Sequence, residues 1–250
     1  MPNTPQNQSV ATNGTQLNCF SPPVMIATFV IETLLALYTV WRYKLNLVGR
    51  LAAALLVFLG LFQLSEYFVC GGIGMSNVTW ARIGYVAITT LPPLGLHLMY
   101  ALAGRKERGL VMTAYATGLA FSIFFLGYSG AFTGYQCTGN YVIFQLAINS
   151  GMAYGIYYYL WLAISIFLGV SWQANTQLTL GVRQAMRALV VGYLVFIVPT
   201  AVTNTLKPET MRGIPSIMCG FAVIFALILA FYILPRGGRK KLETPTKAKA

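Results

Sequence analysis

Apolar residues in this chain gather into long runs, and polar residues into short stretches between them. Seven runs approach the roughly 20 residues that a helix needs to cross a bilayer. They cover approximately 23–41, 50–70, 80–103, 110–128, 150–172, 188–206 and 215–234. The pattern predicts an all-α polytopic membrane protein with seven transmembrane helices. It divides the chain into a polar N-terminal tail (1–22), a seven-helix membrane domain (23–234) and a basic tail (235–250). The N-terminal tail carries no charge, and no positive segment precedes the first apolar run. That run therefore reads as a span and not as a cleaved signal peptide.

Composition supports this division. Only 9% of the residues are charged and 57% are hydrophobic, whereas soluble domains carry roughly 25% charged residues. The formal net charge is nonetheless +12. A nucleic-acid interface would gather that charge on one face. Here it lies in small clusters between apolar runs, so no nucleic-acid partner is expected.

Fourteen of the 17 Lys and Arg residues flank alternate connections or follow the last run: Arg42, Lys44, Arg50, Arg105, Lys106, Arg108, Arg183, Arg187, Arg236, Arg239, Lys240, Lys241, Lys247 and Lys249. Arg82, Lys207 and Arg212 fall on the other side. The asymmetry places the N-terminus outside and the C-terminus in the cytoplasm of a cell membrane. The lipid bilayer is then the constant partner, and the basic tail would face a cytoplasmic signalling protein or anionic lipid.

On that orientation Cys19, Cys70, Cys137 and Cys219 all come near the outer face, where disulfides are stable. Four cysteines allow three pairings, and the sequence does not choose among them. Inert, partly buried thiols are the alternative. Asn7, Asn13 and Asn77 begin Asn-x-Ser/Thr sequons on the same side, which matter only in a host that glycosylates.

Two acidic residues, Glu32 and Glu66, fall inside spans. A charge at mid-bilayer costs on the order of 3 kcal/mol on insertion scales, so each needs a partner or a function. Glu66 lies about one turn from the outer end of the second span and Arg82 in the first turn of the third, which makes an ion pair between them the simplest expectation. A ligand-facing carboxylate and a proton-carrying group are the other readings. Glu32 has no basic residue in view and is expected to be neutral and hydrogen-bonded across helices. His97, the single histidine, lies roughly 15 Å deeper than Glu66 at 1.5 Å of rise per residue. A helix-to-helix hydrogen bond is therefore expected of it, and no metal site with Cys19 and Glu66. Asn149 and Asn204 are further polar groups near span ends.

Pro92-Pro93 and Pro199 should interrupt the third and sixth helices, as hinges or as static kinks. Tyr154, Tyr158 and Trp161 recur at helical spacing in the fifth span. They are either packing or, with Glu66, Tyr67 and Arg82, the wall of an outward-opening pocket for a small cationic ligand. No phosphate loop and no Ser/His/Asp set is present, so neither a catalytic activity nor a cofactor or metal is expected.

The segment TWARIGYVAITTLPPLGLHLMYALAGRK (79–106) resembles the third span of the seven-transmembrane sensor region found in some bacterial histidine kinases. VRQAMRALVVGYLVFIVPTAVTNTL (182–206) is similar to that family's sixth span, with Arg183-Gln184, Pro199 and Asn204 in matching places. The resemblance implies a sensory module. A kinase domain would follow the last span in that family, whereas only PRGGRKKLETPTKAKA follows it here, so output would pass through a separate partner. CFSP (19–22) with FQLSE (62–66) looks like an uncharacterised bacterial multi-span family, which implies that Cys19, Gln63 and Glu66 belong to one pattern.

Three functions fit these features: a stand-alone sensor or receptor-like module, a small-solute or ion transporter or channel using the intramembrane glutamates, and a structural or assembly subunit. The first fits best, because no strong internal repeat of the transporter kind is visible.

Overall fold

A computed structural model of the chain describes residues 22–71, 74–106, 109–137, 142–174, 177–206 and 213–237. Cys19, Asn7, Asn13, Lys207, Arg212 and the tail beyond Gly237 lie outside these residues. The architecture is all-α, with seven helices among the described residues long and apolar enough to cross a membrane, as in a multi-pass membrane protein.

The spans are α1 (Pro22–Arg42), α2 (Leu47–Gly71), α3 (Asn77–Ala103), α4 (Gly109–Gly127), α5 (Ile148–Gln173), α6 (Leu180–Leu206) and α7 (Ile214–Ile228). Past Ile228, α7 widens into a π turn over Leu229–Ile233 and ends as α8 (Leu234–Gly237). Helix ends follow local chemistry. The Asn46 side chain accepts from the Gly49 N–H at 2.9 Å to start α2, and Ser76 accepts from the Thr79 N–H at 3.2 Å to start α3, both N-caps of the usual kind. Gly104 ends α3 at φ 66°, where a side chain would be strained. α6 begins eight residues before the boundary read from the sequence, so Arg183 and Arg187 belong to its first turns and not to a connection. Their long stems let the charged heads reach the end of the bundle from inside a helix.

α3 is the central helix, packed against α2, α4, α5 and α6, while α7 closes the bundle onto α1, α2 and α6. α3 is assigned as one helix through the buried Pro92 and Pro93. Pro93 has no N–H to donate to the Thr89 carbonyl. That carbonyl instead accepts a 2.6 Å hydrogen bond from the Tyr157 hydroxyl on α5. Pro199 likewise lies inside a continuous α6.

Between α4 and α5 the chain forms a two-stranded antiparallel hairpin, β1 (Phe132–Cys137) and β2 (Val142–Leu146), with a bulge between Phe132 and Gly134. Val142, Ile143 and Phe144 are buried on the bundle, whereas β1 is mostly exposed. A disulfide ties Cys137 of β1 to Cys70 in the last turn of α2. Asn77 adds a second tie, its amide donating to the Val69 carbonyl at 2.9 Å and to the Tyr135 hydroxyl at 2.6 Å. The Asn77 sequon nitrogen is thus committed to packing.

Candidate functional site

Beneath the hairpin lies a cavity of about 510 Å³. Hairpin residues Thr133, Phe144, Gln145 and Leu146 form its roof. Tyr85 and Ile88 of α3, Tyr154, Tyr158 and Tyr159 of α5, and Pro215, Met218 and Cys219 of α7 form the walls. Five aromatic rings therefore face one space. Tyr85 lies 5.3 Å from Phe144 and 5.5 Å from Tyr154, and Tyr154 lies 6.0 Å from Tyr158, centroid to centroid. On α5 the wall includes Gly155, where an added Cβ would meet nothing within 4 Å. A smaller void of about 20 Å³ shares Tyr158, Met218 and Cys219 with the cavity and extends inward to Leu55, Leu59 and Phe225.

The acidic residues sit behind this wall. Glu66 is 1% exposed and Glu32 is fully buried. The Glu66 carboxyl accepts a hydrogen bond from the Ser216 hydroxyl, and Ser216 in turn accepts the Val142 backbone N–H at 3.3 Å. A polar line thus runs from β2 through α7 to α2. Glu32 packs at Gly60, where an added Cβ would stand 3.7 Å from its own Cβ. Gly60 precedes Glu66 by six residues, about 9 Å of helix rise, and the two carboxyls interact electrostatically. Both also act on the Cys219 thiol. Glu32 Oε1 and Oε2, Glu66 Oε1 and Gln63 Nε2 are buried without hydrogen-bond partners among the described residues. Burying such groups unpaired costs on the order of 1–3 kcal/mol each, so the cluster is a point where stability gives way to something else.

Several expectations change here. Arg82 does not pair with Glu66: its Nη1 donates to the Leu126 carbonyl of α4 at 2.9 Å. The reason is angular. Gly84 faces α2, its position meeting Ser65 and Phe62, and Arg82 lies about 200° away round the helix at 100° per residue. Tyr67 is offset from Glu66 by one residue, stands 5.6 Å from Phe68, and is absent from the cavity wall. Trp161 shares a helical face with Tyr154 but lies about 10 Å deeper, where its Nε1 donates to Thr117 Oγ1 of α4 at 3.0 Å. Of the expected pocket residues, Tyr154 and Tyr158 line the cavity and Glu66 lies behind it.

His97 makes the helix-to-helix contact read from its position, with Nδ1 3.2 Å from the Tyr115 hydroxyl of α4. Asn204 is partly buried near the end of α6, and Asn149 lies in the first turn of α5 with its side chain outside the described residues. Among the cysteines, Cys70 and Cys137 pair, Cys219 is a buried free thiol on the cavity wall, and Cys19 falls outside the described residues. Tyr85, Ser216, Phe144 and Met218 complete the site and were not singled out in the sequence. Only the i, i+3 spacing of Ser216 and Cys219 after Pro215 hints that they share a face.

At the opposite end of the bundle, basic side chains engage neutral groups. Arg105 lies over the Trp172 ring at 4.4 Å and Arg236 over Tyr232 at 3.5 Å. Arg187 donates to Gln173 and Arg236 to Gln184, each at 3.2 Å. Neither the family models nor the curated proteins compared with this chain give a match.

Proposed function

We propose that the protein is a receptor-like membrane module that binds a small ligand in the cavity beneath the β1–β2 hairpin. The single observation that carries this reading is the cavity itself. At about 510 Å³ it has the size, and in its rings with a few polar groups the character, of small-molecule sites in general. In this reading the hairpin end faces the exterior, as the distribution of Lys and Arg favours. The basic end then faces the cytoplasm, where the arginines that hold only neutral partners among the described residues can engage a signalling protein or anionic lipid. The ligand reports its presence through α3, which lines the cavity at Tyr85 and Ile88 and contacts four other helices.

A stability screen tests this reading. Protein in lipid nanodiscs is melted against a library of small aromatic and amine compounds, alongside Gly155→Trp, whose side chain fills the cavity from a position with room for it. Compounds that raise the melting temperature of the native protein and not of the variant support the reading. A library in which every effect is equal in both proteins refutes it.

A second reading, small-solute transport, is favoured by one observation. The inward void shares Cys219 with the cavity and leads on to Leu55, Leu59 and Phe225 inside the bundle. It requires substrate flux in proteoliposomes that falls when Glu32 or Glu66 becomes Gln.

A further inference from the structure

The sides of the cavity differ in what closes them. The hairpin closes the top, where the Thr133 hydroxyl donates to the Gln145 carbonyl at 3.0 Å between the strands. α3 closes the back through Tyr85 and Ile88. α6 lines the inner void through Tyr193 and Phe196 but, among the described residues, gives the cavity itself no wall. What remains is the side between α5 and α7.

On α5 that side has no barrier. Met152 and Ile156 are exposed on the outer surface of the bundle, whereas Tyr154 and Tyr158 line the cavity. Gly155 stands between the two faces, about 60° round the helix from Met152 on one side and from Tyr158 on the other. An added Cβ there would meet nothing within 4 Å. The lipid-facing and cavity-facing surfaces of α5 therefore meet at a residue with no side chain and open space before it. Tyr159, one turn further in, belongs to both surfaces, since it lines the cavity and is 40% exposed. Its hydroxyl donates to Met218 Sδ of α7 at 3.5 Å, which makes it the sill of the opening.

The depth of this opening matches a bilayer leaflet. Tyr158 lies ten residues past the start of α5 and Ile88 eleven past the start of α3, about 15 Å at 1.5 Å per residue. That is about half of a hydrocarbon core of roughly 30 Å. The polar side chains Thr133 and Gln145 stand at the hairpin end, with Ile88 and Met218 below them.

Resting on the cavity as the ligand site, we propose that it opens sideways into the bilayer between α5 and α7, and that its ligand is a small single-chain lipophile drawn from the leaflet on the hairpin side. The chain lies along Gly151 and Gly155 against the tyrosine rings, and the polar end meets Thr133 and Gln145. Hydrocarbon is as apolar as the wall, so the polar end and the fit against the rings supply the selectivity. The bilayer in turn concentrates the ligand, about fourfold for each methylene.

The test uses two photoreactive alcohols, a decanol and a butanol each carrying a diazirine in its chain. Both are mixed at equal total concentration with the full-length protein in nanodiscs, flashed at set times, and the crosslinked residues are mapped by mass spectrometry. The decyl probe is expected on Ile88 and Met218 at least about tenfold above the butyl probe. Gly155→Trp should lose these crosslinks, while the exposed Met112 and Leu119 of α4 keep theirs. Tyr159→Ala, which lowers the sill, should speed their appearance. Cys70→Ser with Cys137→Ser, which frees the roof, should leave the rate unchanged. If Tyr159→Ala fails to fold, the cysteine variant and the two probes decide the matter. Equal cavity crosslinking by both probes, faster entry in the cysteine variant, or an unchanged rate in folded Tyr159→Ala would overturn the side-entering lipophile. The cavity itself then stands if Gly155→Trp still removes the crosslinks. No cavity crosslink by the decyl probe on the native protein would also overturn the proposal, and the stability screen above then judges the cavity separately.

Discussion

The hydroxyl of Tyr157 donates a 2.6 Å hydrogen bond to the backbone carbonyl of Thr89, the acceptor that Pro93 leaves without its helical donor. Gly118 on α4 makes room for this bond, because a Cβ there would stand 2.8 Å from the Tyr157 hydroxyl and 3.3 Å from Pro93 Cγ. A continuous helix that carries two prolines is thereby built into a three-helix joint, at the depth where water is unavailable to satisfy the carbonyl. Tyr157→Phe should destabilise the protein by about 1–2 kcal/mol, since it strands a buried acceptor. Gly118→Ala should cost a similar amount by displacing the same hydroxyl. Because both act on one bond, the double variant should cost less than the sum, which a double-mutant cycle of thermal melts would show.

The Cys70–Cys137 disulfide closes a separation of 67 residues. A loop of that length is worth about 4 kcal/mol in the chain-entropy account, and the expected gain is smaller here because inserted spans already restrict the reduced chain. Cys70→Ser with Cys137→Ser should lower the melting temperature and speed amide exchange in β1 and β2, with the seven helices retained. Unchanged exchange in the hairpin would show that Asn77 and the buried face of β2 suffice to hold it.

Ser216 joins the hairpin to Glu66, accepting from Val142 and donating to the carboxyl. Ser216→Ala removes the donor to a buried acid and the acceptor of a buried amide, with an expected cost of about 1–3 kcal/mol. Its particular signature is local: the Val142 amide should exchange faster while amides in the α3–α4 contact stay protected. Hydrogen exchange read by mass spectrometry separates this from a general loosening.

Arg82 and Glu66 should be energetically independent. Arg82→Gln and Glu66→Gln are expected to be additive to within about 0.5 kcal/mol, as for residues without shared partners. A coupling well above that value would reinstate the ion pair between them.

How much of this was legible beforehand depended on what each residue had to say locally. The spans were legible because a 20-residue apolar run has few other uses, and their ends differed mainly at α6, where Arg183 and Arg187 looked like loop residues. The hairpin was not read, although Phe132, Tyr135 and the Val142-Ile143-Phe144 run carry β-branched and aromatic residues next to glycines. Tyr154 and Tyr158 were legible as a helical face because their spacing is local. Arg82 was misassigned because depth along the bilayer was counted and rotation about the helix was not. Gly84, two residues on, held the missing clue, since a glycine in a span marks where a neighbour comes close. Cys219 and Ser216 were illegible as site residues because their neighbours come from α1, α2 and β2, distant in sequence.

The cavity beneath the hairpin is the claim on which the rest depends, and native mass spectrometry tests it most directly. Protein released from nanodiscs prepared with membranes of its producing cell is weighed beside Gly155→Trp prepared the same way. The expected result is a retained small molecule on the native protein that Gly155→Trp lacks, with lipid adducts equal in both. Identical adduct spectra for the two proteins would contradict the account.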